Sequence, residues 1–418
     1  MSGVRFLLSS TVKATAPPPI PLAYQWAASY VRTPERPLID LSQGVPGISP
    51  PDTLLEAIGK TSSSPAACGY GPMNGEAPMR LALVNEMKSV YGEDADIKPQ
   101  DVALTSGCNM AFIAAVMSVA SAGDEVILPV PWYFNHQMSL TMLGIGVVPL
   151  YTHSTRGFRP NVSECASLIT SKTRAIALVT PNNPTGAVYP PELIKAFAEL
   201  AYSKNVALIV DETYRDLIVE GQPHDLFHSS LGDGTWRSTL IHLFSFSKSY
   251  CLPGHRLGAM VADSSVLQQT NTVLDCLQIC PPRPIQLALH PLMPTLRPFV
   301  QSTSAAIASR HRLFHRVLPQ SWSIKSQGGF FAFVRHPFPG TSSEIVSKIL
   351  ATRYGVVTLP GTFFAPTAGD KKTDWSDAEE CVRFSVANVT DEQVIQLGLR
   401  LAEVEEELST VLSSGCTE

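Results

Sequence analysis

The segment Ser245-Phe246-Ser247-Lys248-Ser249 places one lysine among small hydroxyl residues, and Arg256 follows it eight positions later. A lysine amine adds to an aldehyde, and does so near neutral pH when burial or a neighbouring cation depresses its pKa. A guanidinium is suited to a phosphate, which it meets with several N–H groups at once. An amine for an aldehyde and a guanidinium for a phosphate point to one small molecule that carries both, pyridoxal phosphate. Alone, a lysine in a serine-rich loop is more often a solvated surface residue. The weight therefore falls on what the rest of the chain sets beside it.

The lysine follows an apolar run, residues 240–244, and the same arrangement recurs upstream. Residues 101–105 form a short strand, Ser106-Gly107-Cys108-Asn109 follow, and an apolar helix is expected over 110–121. A strand, small residues and a helix start make an anion site, because free backbone N–H groups and the positive end of the helix dipole face the same point. No Gly-Lys-Ser/Thr follows, so this is not a nucleoside triphosphate loop. Strand 126–130 leads into Pro131-Trp132-Tyr133-Phe134-Asn135-His136, whose aromatic rings either fill core or stack on a flat ligand. Strand 174–180 ends in Pro181-Asn182-Asn183-Pro184-Thr185-Gly186. A helix then starts at Pro191, with Leu193, Phe197 and Leu200 at helical spacing. Strand 206–210 ends in Asp211-Glu212-Thr213-Tyr214. This is a βαβ unit and predicts a parallel sheet with right-handed crossovers. Gly107, Tyr133, Asn183, Asp211 and Lys248 each stand just beyond a strand. In open α/β sheets that is where ligands bind.

Elsewhere the chain supplies supporting elements. Residues 38–47 read as a short strand entering a Gly/Pro turn, with Gly44 free to bring backbone close to a ligand. A helix is expected over 50–60, with Asp52 near its start. The loop Gly69-Tyr70-Gly71 leads to helix 79–91, and Tyr70 reads equally as a phosphate ligand and as an exposed aromatic. Beyond residue 290 a helix at 303–318 alternates with strands at 329–334, 356–359 and 381–386, the pattern of a smaller α+β domain. The expected division is an N-terminal segment, 1–50, joining the small domain, a large domain at 51–290, and the rest of the small domain at 291–418.

Composition narrows the partners. A chain of 418 residues exceeds what one core usually serves. Hydrophobic residues at 44% and charged residues at 16% describe a globular protein with large buried elements. The net charge of −5 and the lack of a basic stripe argue against nucleic acid and anionic membrane. Apolar runs such as 113–119 are too short to cross a bilayer. The cysteines at 68, 108, 165, 251, 276, 280, 381 and 416 form no C-x-x-C pair, so reduced thiols in a cytoplasmic protein are expected, with no metal site. Residues 1–20 carry Arg5, Lys13, several Ser and Thr and no acid, a faint mitochondrial-leader pattern. The run Pro17-Pro18-Pro19 favours a short disordered lead-in instead.

In order and spacing, Pro181–Gly186, Asp211–Tyr214 and Ser245-x-Ser-Lys248 with Arg256 resemble the class I/II aminotransferases, the aspartate aminotransferase-like enzymes of PLP fold type I, from about residue 41 to 389. The resemblance implies a large α/β domain with a mostly parallel seven-stranded sheet between helices and a smaller α+β domain. It implies that Lys248 forms the Schiff base with pyridoxal 5'-phosphate and shuttles protons, and that Asp211 pairs with the pyridine nitrogen. Asn183 and Tyr214 would hydrogen-bond the phenolic oxygen, and Tyr133 would stack on the ring, with Trp132 as the alternative. His136 would stand behind Asp211. Gly107, Cys108, Asn109, Ser245 and Arg256 would hold the phosphate. Tyr70 would reach the phosphate of a neighbouring subunit, in a homodimer with shared sites. Arg383, in Val382-Arg383-Phe384-Ser385, would take the substrate carboxylate, with Gly44 and Asn183 beside it.

Cys108 stands where the family favours small or hydroxyl residues, and its thiol is a weak donor. For the substrate side chain two readers are open: Arg283 in a proline-rich loop, or an aromatic pocket from Tyr24, Trp26, Trp132 and Phe134. The activity implied is transfer of an amino group between an L-amino acid and a 2-oxo acid. The alternative is another PLP reaction on the same scaffold: elimination or replacement, cyclisation, carbon–carbon bond formation or decarboxylation. A non-catalytic regulator is disfavoured, since no helix-turn-helix pattern precedes Gly44.

Overall fold

Apolar runs with no polar alternation become strands covered on both faces, because such a strand has no side to offer water. In the computed structural model, which describes residues 6–218, 221–228, 230–366 and 375–413, the first ten strands in chain order are β1 (Ile39–Asp40), β2 (Val102–Thr105), β3 (Glu125–Val130), β4 (Gly146–Tyr151), β5 (Thr173–Val179), β6 (Ala207–Asp211), a small hairpin of β7 (Ser230–Leu231) and β8 (Gly234–Thr235), β9 (Leu240–Ser245) and β10 (Gly258–Val261). Seven of them form one sheet in the order β2-β10-β9-β6-β5-β3-β4. The pairs between β4, β3, β5, β6 and β9 are parallel, and β10 runs antiparallel to both neighbours. The mostly parallel seven-stranded sheet expected from the sequence is therefore present. The exception has a local cause. The connection 246–257 contains only short helical turns, so the chain folds straight back and Gly258 pairs with Ser245. β4 carries Pro149, which lacks a ladder donor, and lies at the sheet edge where that loss is tolerated.

The N-terminal segment corrects the expectation of a disordered lead-in. It contains two helices, α1 (Ser10–Ala14) and α2 (Pro19–Ala27). Pro19 is the first residue of α2, a position where a missing N–H costs nothing. The proline run thus marks a helix start. Ala23 and Ala27 of α2 are buried against Phe134, Ala351, Val357 and Phe364, and their small side chains let the helix approach closely. Further helices α3 (Asp52–Ser62), α4 (Ala77–Tyr91), α5 (Cys108–Val119) and α6 (Phe134–Met142) lie within one or two residues of the expected bounds where a helix was expected.

Strands β11 (Ser323–Gly328), β12 (Phe331–Arg335), β14 (Leu359–Pro360) and β15 (Cys381–Ser385) form a second sheet in the order β11-β12-β15-β14, and β13 (Val356–Val357) pairs parallel with β1. Helix Met293–Val317 begins ten residues before the expected start, because Pro294 and Pro298 in its opening turns disguised it. Two large cores result, one around the long sheet and one joining Ile39 and Leu41 to Val356 and Phe384. The two sheets meet at Gly186. A Cβ there would lie 2.3 Å from the Gly328 nitrogen and 2.6 Å from the Phe331 carbonyl, so the 181–186 turn rests directly on the β11–β12 hairpin.

The central position of β6 sets the energetic scale. Ile209 in β6 is fully buried, whereas Ile395 is 48% exposed. Ile209→Ala is expected to lower unfolding stability by about 2–5 kcal/mol, and Ile395→Ala by no more than about 0.5 kcal/mol, both read by denaturant titration.

Candidate active site

Asp211 is the last residue of β6 and is buried. Its Oδ1 accepts the Thr213 N–H at 2.9 Å, a turn closed by the aspartate itself. His136 Nε2 stands 3.2 Å from its Oδ2, and the imidazole is fixed by stacking on Phe112 at 3.7 Å between ring centroids. Burial pushes the Asp211 carboxyl up, but the His136 and Thr213 hydrogen bonds outweigh it and hold the group below the ordinary carboxylate range. The site therefore contains a buried carboxylate that stays charged. Behind it, Glu212 points to the other face of the sheet, as alternate strand residues must. It receives a hydrogen bond from the Tyr91 hydroxyl. His242 Nε2 lies 2.9 Å and His224 Nε2 3.2 Å from its Oε2. His224 Nδ1 accepts the Leu226 N–H at 3.3 Å, which fixes the ring beside Glu212.

Lys248 lies on the short helix Phe246–Ser249, which Ser245 caps by accepting the Ser247 N–H at 3.3 Å. Its Nζ donates to the Gly44 carbonyl, and the Phe330 ring centroid is 5.9 Å away. Burial, helped by the Arg256 and Arg383 cations, lowers the Lys248 ammonium to about 8. Arg256 occupies the left-handed region at φ 50 and donates to the Pro253 carbonyl at 3.0 Å. It closes on Gly107, the N-cap of α5, which has φ 85. A Cβ at Gly107 would strike the Arg256 guanidinium, and one at Gly258 would lie 2.5 Å from the Gly107 carbonyl carbon. Both glycines are thus needed for the guanidinium to lie over the start of α5.

Tyr133 leans over the same cleft. Asn135 Nδ2 donates to its hydroxyl at 2.9 Å, and the hydroxyl lies 3.4 Å from Asn109 Oδ1. Burial and then the Asp211 charge push its phenol up to about 12. The Cys108 thiol turns toward Asp211 Oδ1 at 3.7 Å, away from the role of anion donor. Only its backbone N–H is left for that role. Burial drives this thiol well above its ordinary value. On the opposite wall Arg383, on β15, is fully buried. It donates to Asn183 Oδ1 at 2.8 Å and to the Ser42 carbonyl. It lies over the Phe331 and Phe364 rings at 4.6 and 5.1 Å, and its Nε has no partner. Burial lowers this guanidinium to about 10. Among the described residues no carboxylate forms an ion pair with it, so a buried cation stands ready for an anion. Tyr214, next to Gly44, completes the enclosure.

Gly44, Cys108, Asn109, Tyr133, Asn183, Asp211, Tyr214, Ser245, Lys248, Arg256 and Arg383 all line one cleft. Gly107 lies directly behind it, under Arg256. Tyr70 does not line it; its side chain is 80% exposed. Trp132 is packed in the core, which leaves Tyr133 as the ring over the cleft. Arg283 is engaged by Glu76 at 2.6 Å and by the Ala66 and Gly69 carbonyls. Sequence reasoning passed over Thr213, Ser42, Asn135 and Ile20, and the network around Glu212. Thr213 was legible as the third residue of an Asp-x-Thr turn. Ser42 contributes only a backbone carbonyl, which any residue type provides.

The depressed Lys248 predicts its titration. In cofactor-free protein, modification of Lys248 by an amine-selective reagent should rise with a midpoint near pH 8, against about 10.4 for an ordinary lysine. Arg256→Met removes a neighbouring cation and should move the midpoint up. The modified fraction at each pH is read by peptide mass spectrometry.

Comparison with known proteins completes the assignment. An aspartate aminotransferase of Sulfolobus acidocaldarius is 30% identical over 345 residues, covering 79% of this chain and 80% of that one. An aromatic-amino-acid aminotransferase of Thermococcus litoralis is 28% identical over 342 residues, covering 79% and 87%. The solved structure of aspartate aminotransferase from Thermus thermophilus with maleate superposes with a TM-score of 0.83 at 25% identity, covering 96% of this chain and 100% of that one. The sequence model of the aminotransferase class I and II family matches residues 36–400. The chain belongs to the aminotransferase class I and II family, and it is an enzyme that transfers an amino group between an amino acid and a 2-oxo acid.

Proposed function

We propose that the cleft binds pyridoxal phosphate and that Lys248 holds it covalently. The observation that carries this is the convergence on one cleft of Lys248, Asp211, Arg256 and Arg383, the half-buried lysine lowered to about 8 and the buried aspartate held charged. The residues present fit the cofactor. The backbone N–H groups at the start of α5, with the Arg256 guanidinium packed on Gly107 beside them, suit a phosphate, and Asn109 and Ser245 line the same cleft. Asp211 would face the pyridine nitrogen, Tyr133 the ring, and Asn183 and Tyr214 the phenolic oxygen. When bound, the cofactor supplies a protonated ring that accepts electron density from the substrate Cα.

The protein's own groups do the rest. Asp211 remains ionised because His136 and Thr213 stabilise its charge, and an ionised carboxylate keeps a pyridine nitrogen protonated. Arg383 takes the substrate carboxylate as a partner for its unpaired charge, with Gly44 and Asn183 fixing the pose. Lys248 Nζ, lowered to about 8, is neutral often enough near that pH to act as the base that would take the substrate Cα proton and would deliver it to the aldehyde-derived carbon of the cofactor. Residues 51–290 on this reading carry the cofactor, while residues 1–50 and 291–418 close on the substrate through Gly44 and Arg383. The exposed Tyr70 would complete the phosphate site of a second copy in a homodimer.

Two variants test the assignment. Lys248→Ala should lose the visible absorbance band of the protein-bound cofactor and lose turnover by at least about 10³-fold, with an unchanged far-ultraviolet dichroism spectrum; turnover at the wild-type rate would refute the assignment. Asp211→Asn should lower kcat by about 10²- to 10³-fold while cofactor loading, followed by absorbance, changes far less. Equal loss of both would make Asp211 a structural residue.

A further inference from the structure

Lys248 stands on a helix of one turn, Phe246–Ser249, too short to hold its own direction. The Ser245 cap fixes its start. Its end is fixed by the residue after the lysine. Ser249 Oγ donates to Asp216 Oδ2 at 2.7 Å. Ser249 is buried, and the Asp216 side chain is 1% exposed. Asp216 lies in the helical turn Arg215–Leu217, which follows Tyr214. Two cations hold it there. Arg297 Nη1 donates to its Oδ1 at 2.8 Å and to Glu86 Oε1 of α4 at 2.8 Å. Arg215 Nη2 lies 3.2 Å from its Oδ2. Burial pushes the Asp216 carboxyl up, but the two arginines and the Ser249 hydroxyl outweigh it and hold the group below the ordinary carboxylate range. The Arg215 guanidinium also lies over the Phe244 ring at 4.3 Å, in the strand that leads into Lys248. Arg297 belongs to helix Met293–Val317, which packs on β11 of the second sheet. None of Ser249, Asp216, Arg215, Arg297 and Glu86 lines the cleft.

We propose that Ser249 and Asp216 are positioning residues for Lys248: the buried carboxylate holds the lysine helix through the Ser249 hydroxyl and so sets where Nζ can reach. This rests on the reading that Lys248 holds the cofactor and moves the substrate proton. An amine with both tasks tolerates little displacement, since a misplacement of about 1 Å costs on the order of 10²-fold in rate. The acceptor is itself immobile, because Arg215 and Arg297 clamp Asp216 from two other elements. Removing Asp216 would leave the buried Arg215 without its counter-ion, a change that threatens the fold. Removing the Ser249 hydroxyl leaves those ion pairs in place, so Ser249 is the position at which the proposal is tested.

Ser249→Ala, which lacks the hydroxyl, is compared with Ser249→Thr, which keeps it, and with the wild type. In cofactor-free protein, the midpoint for modification of Lys248 by an amine-selective reagent should rise in Ser249→Ala from near pH 8 toward the value of about 10.4 of an ordinary lysine. The rise is expected because the amine leaves the place where burial and two arginines depress it. In cofactor-loaded enzyme, Ser249→Ala should lower kcat by about tenfold or more with KM nearly unchanged. Ser249→Thr should restore both the midpoint and kcat. Thermal unfolding is followed in parallel. A Ser249→Ala variant with a lowered Tm but an unchanged midpoint or an unchanged kcat makes the bond structural and overturns the proposal. A Ser249→Thr variant that behaves like Ser249→Ala overturns it as well. The functional reading fails separately. If the wild-type protein forms no cofactor band, that reading falls, and the modification midpoint of the cofactor-free variants still decides the role of Ser249 and Asp216.

Discussion

A carboxylate that must remain ionised inside a protein is the constraint from which the rest of this site follows. Desolvation alone would protonate Asp211. The chain counters it with one backbone N–H two residues on and one imidazole from another element. That imidazole needs its own support, which Phe112 on α5 gives by stacking. Helix α5, whose start lies under Arg256, therefore also braces the histidine that keeps Asp211 charged. Glu212 secures the same strand end from the opposite face through Tyr91, His224 and His242. Charge at Asp211 and the position of β6 are thus held by two independent networks, one on each side of the sheet.

The second dependence is geometric. Lys248 and Arg383 belong to different sheets, and their separation is fixed where those sheets touch. The contact at Gly186 and the β1–β13 pairing do this. Ser42 and Gly44, just beyond β1, receive hydrogen bonds from Arg383 and Lys248 respectively. One short N-terminal strand thereby registers both cations. Backbone carbonyls serve here because they cannot rotate away, whereas long side chains lose entropy when held.

Much of this was legible in the sequence for a physical reason. Lys248, Asp211, Asn183 and Gly107 follow apolar runs, and apolar runs of that length in a βαβ chain are strands whose ends converge. The parallel character of the sheet followed from the same pattern, and its seven strands from the family resemblance. What escaped notice was of two kinds. Some contributions are made by backbone, as at Ser42, and leave no residue-type signal. Others come from segments whose composition misleads. Prolines at 17–19 and at 294 look like breakers, yet at helix starts they are tolerated, and Pro298 stands inside its helix one turn further on; α2 and helix Met293–Val317 were accordingly missed or shortened. Arg283 and Tyr70 show a third limit. Sequence makes each a candidate for the site, but only the fold shows the arginine spent on Glu76 and the tyrosine exposed.

The placement of α2 has a consequence for how such a protein can change over evolutionary time. The helix rests on residues 351–364 and on Phe134, and reaches the cleft with Ile20 alone. None of the groups that handle charge or protons lies on it. Substitutions along one short N-terminal helix therefore alter one wall of the cleft while leaving Lys248, Asp211 and Arg383 in place. That wall and the charged groups stand on separate pieces of the fold.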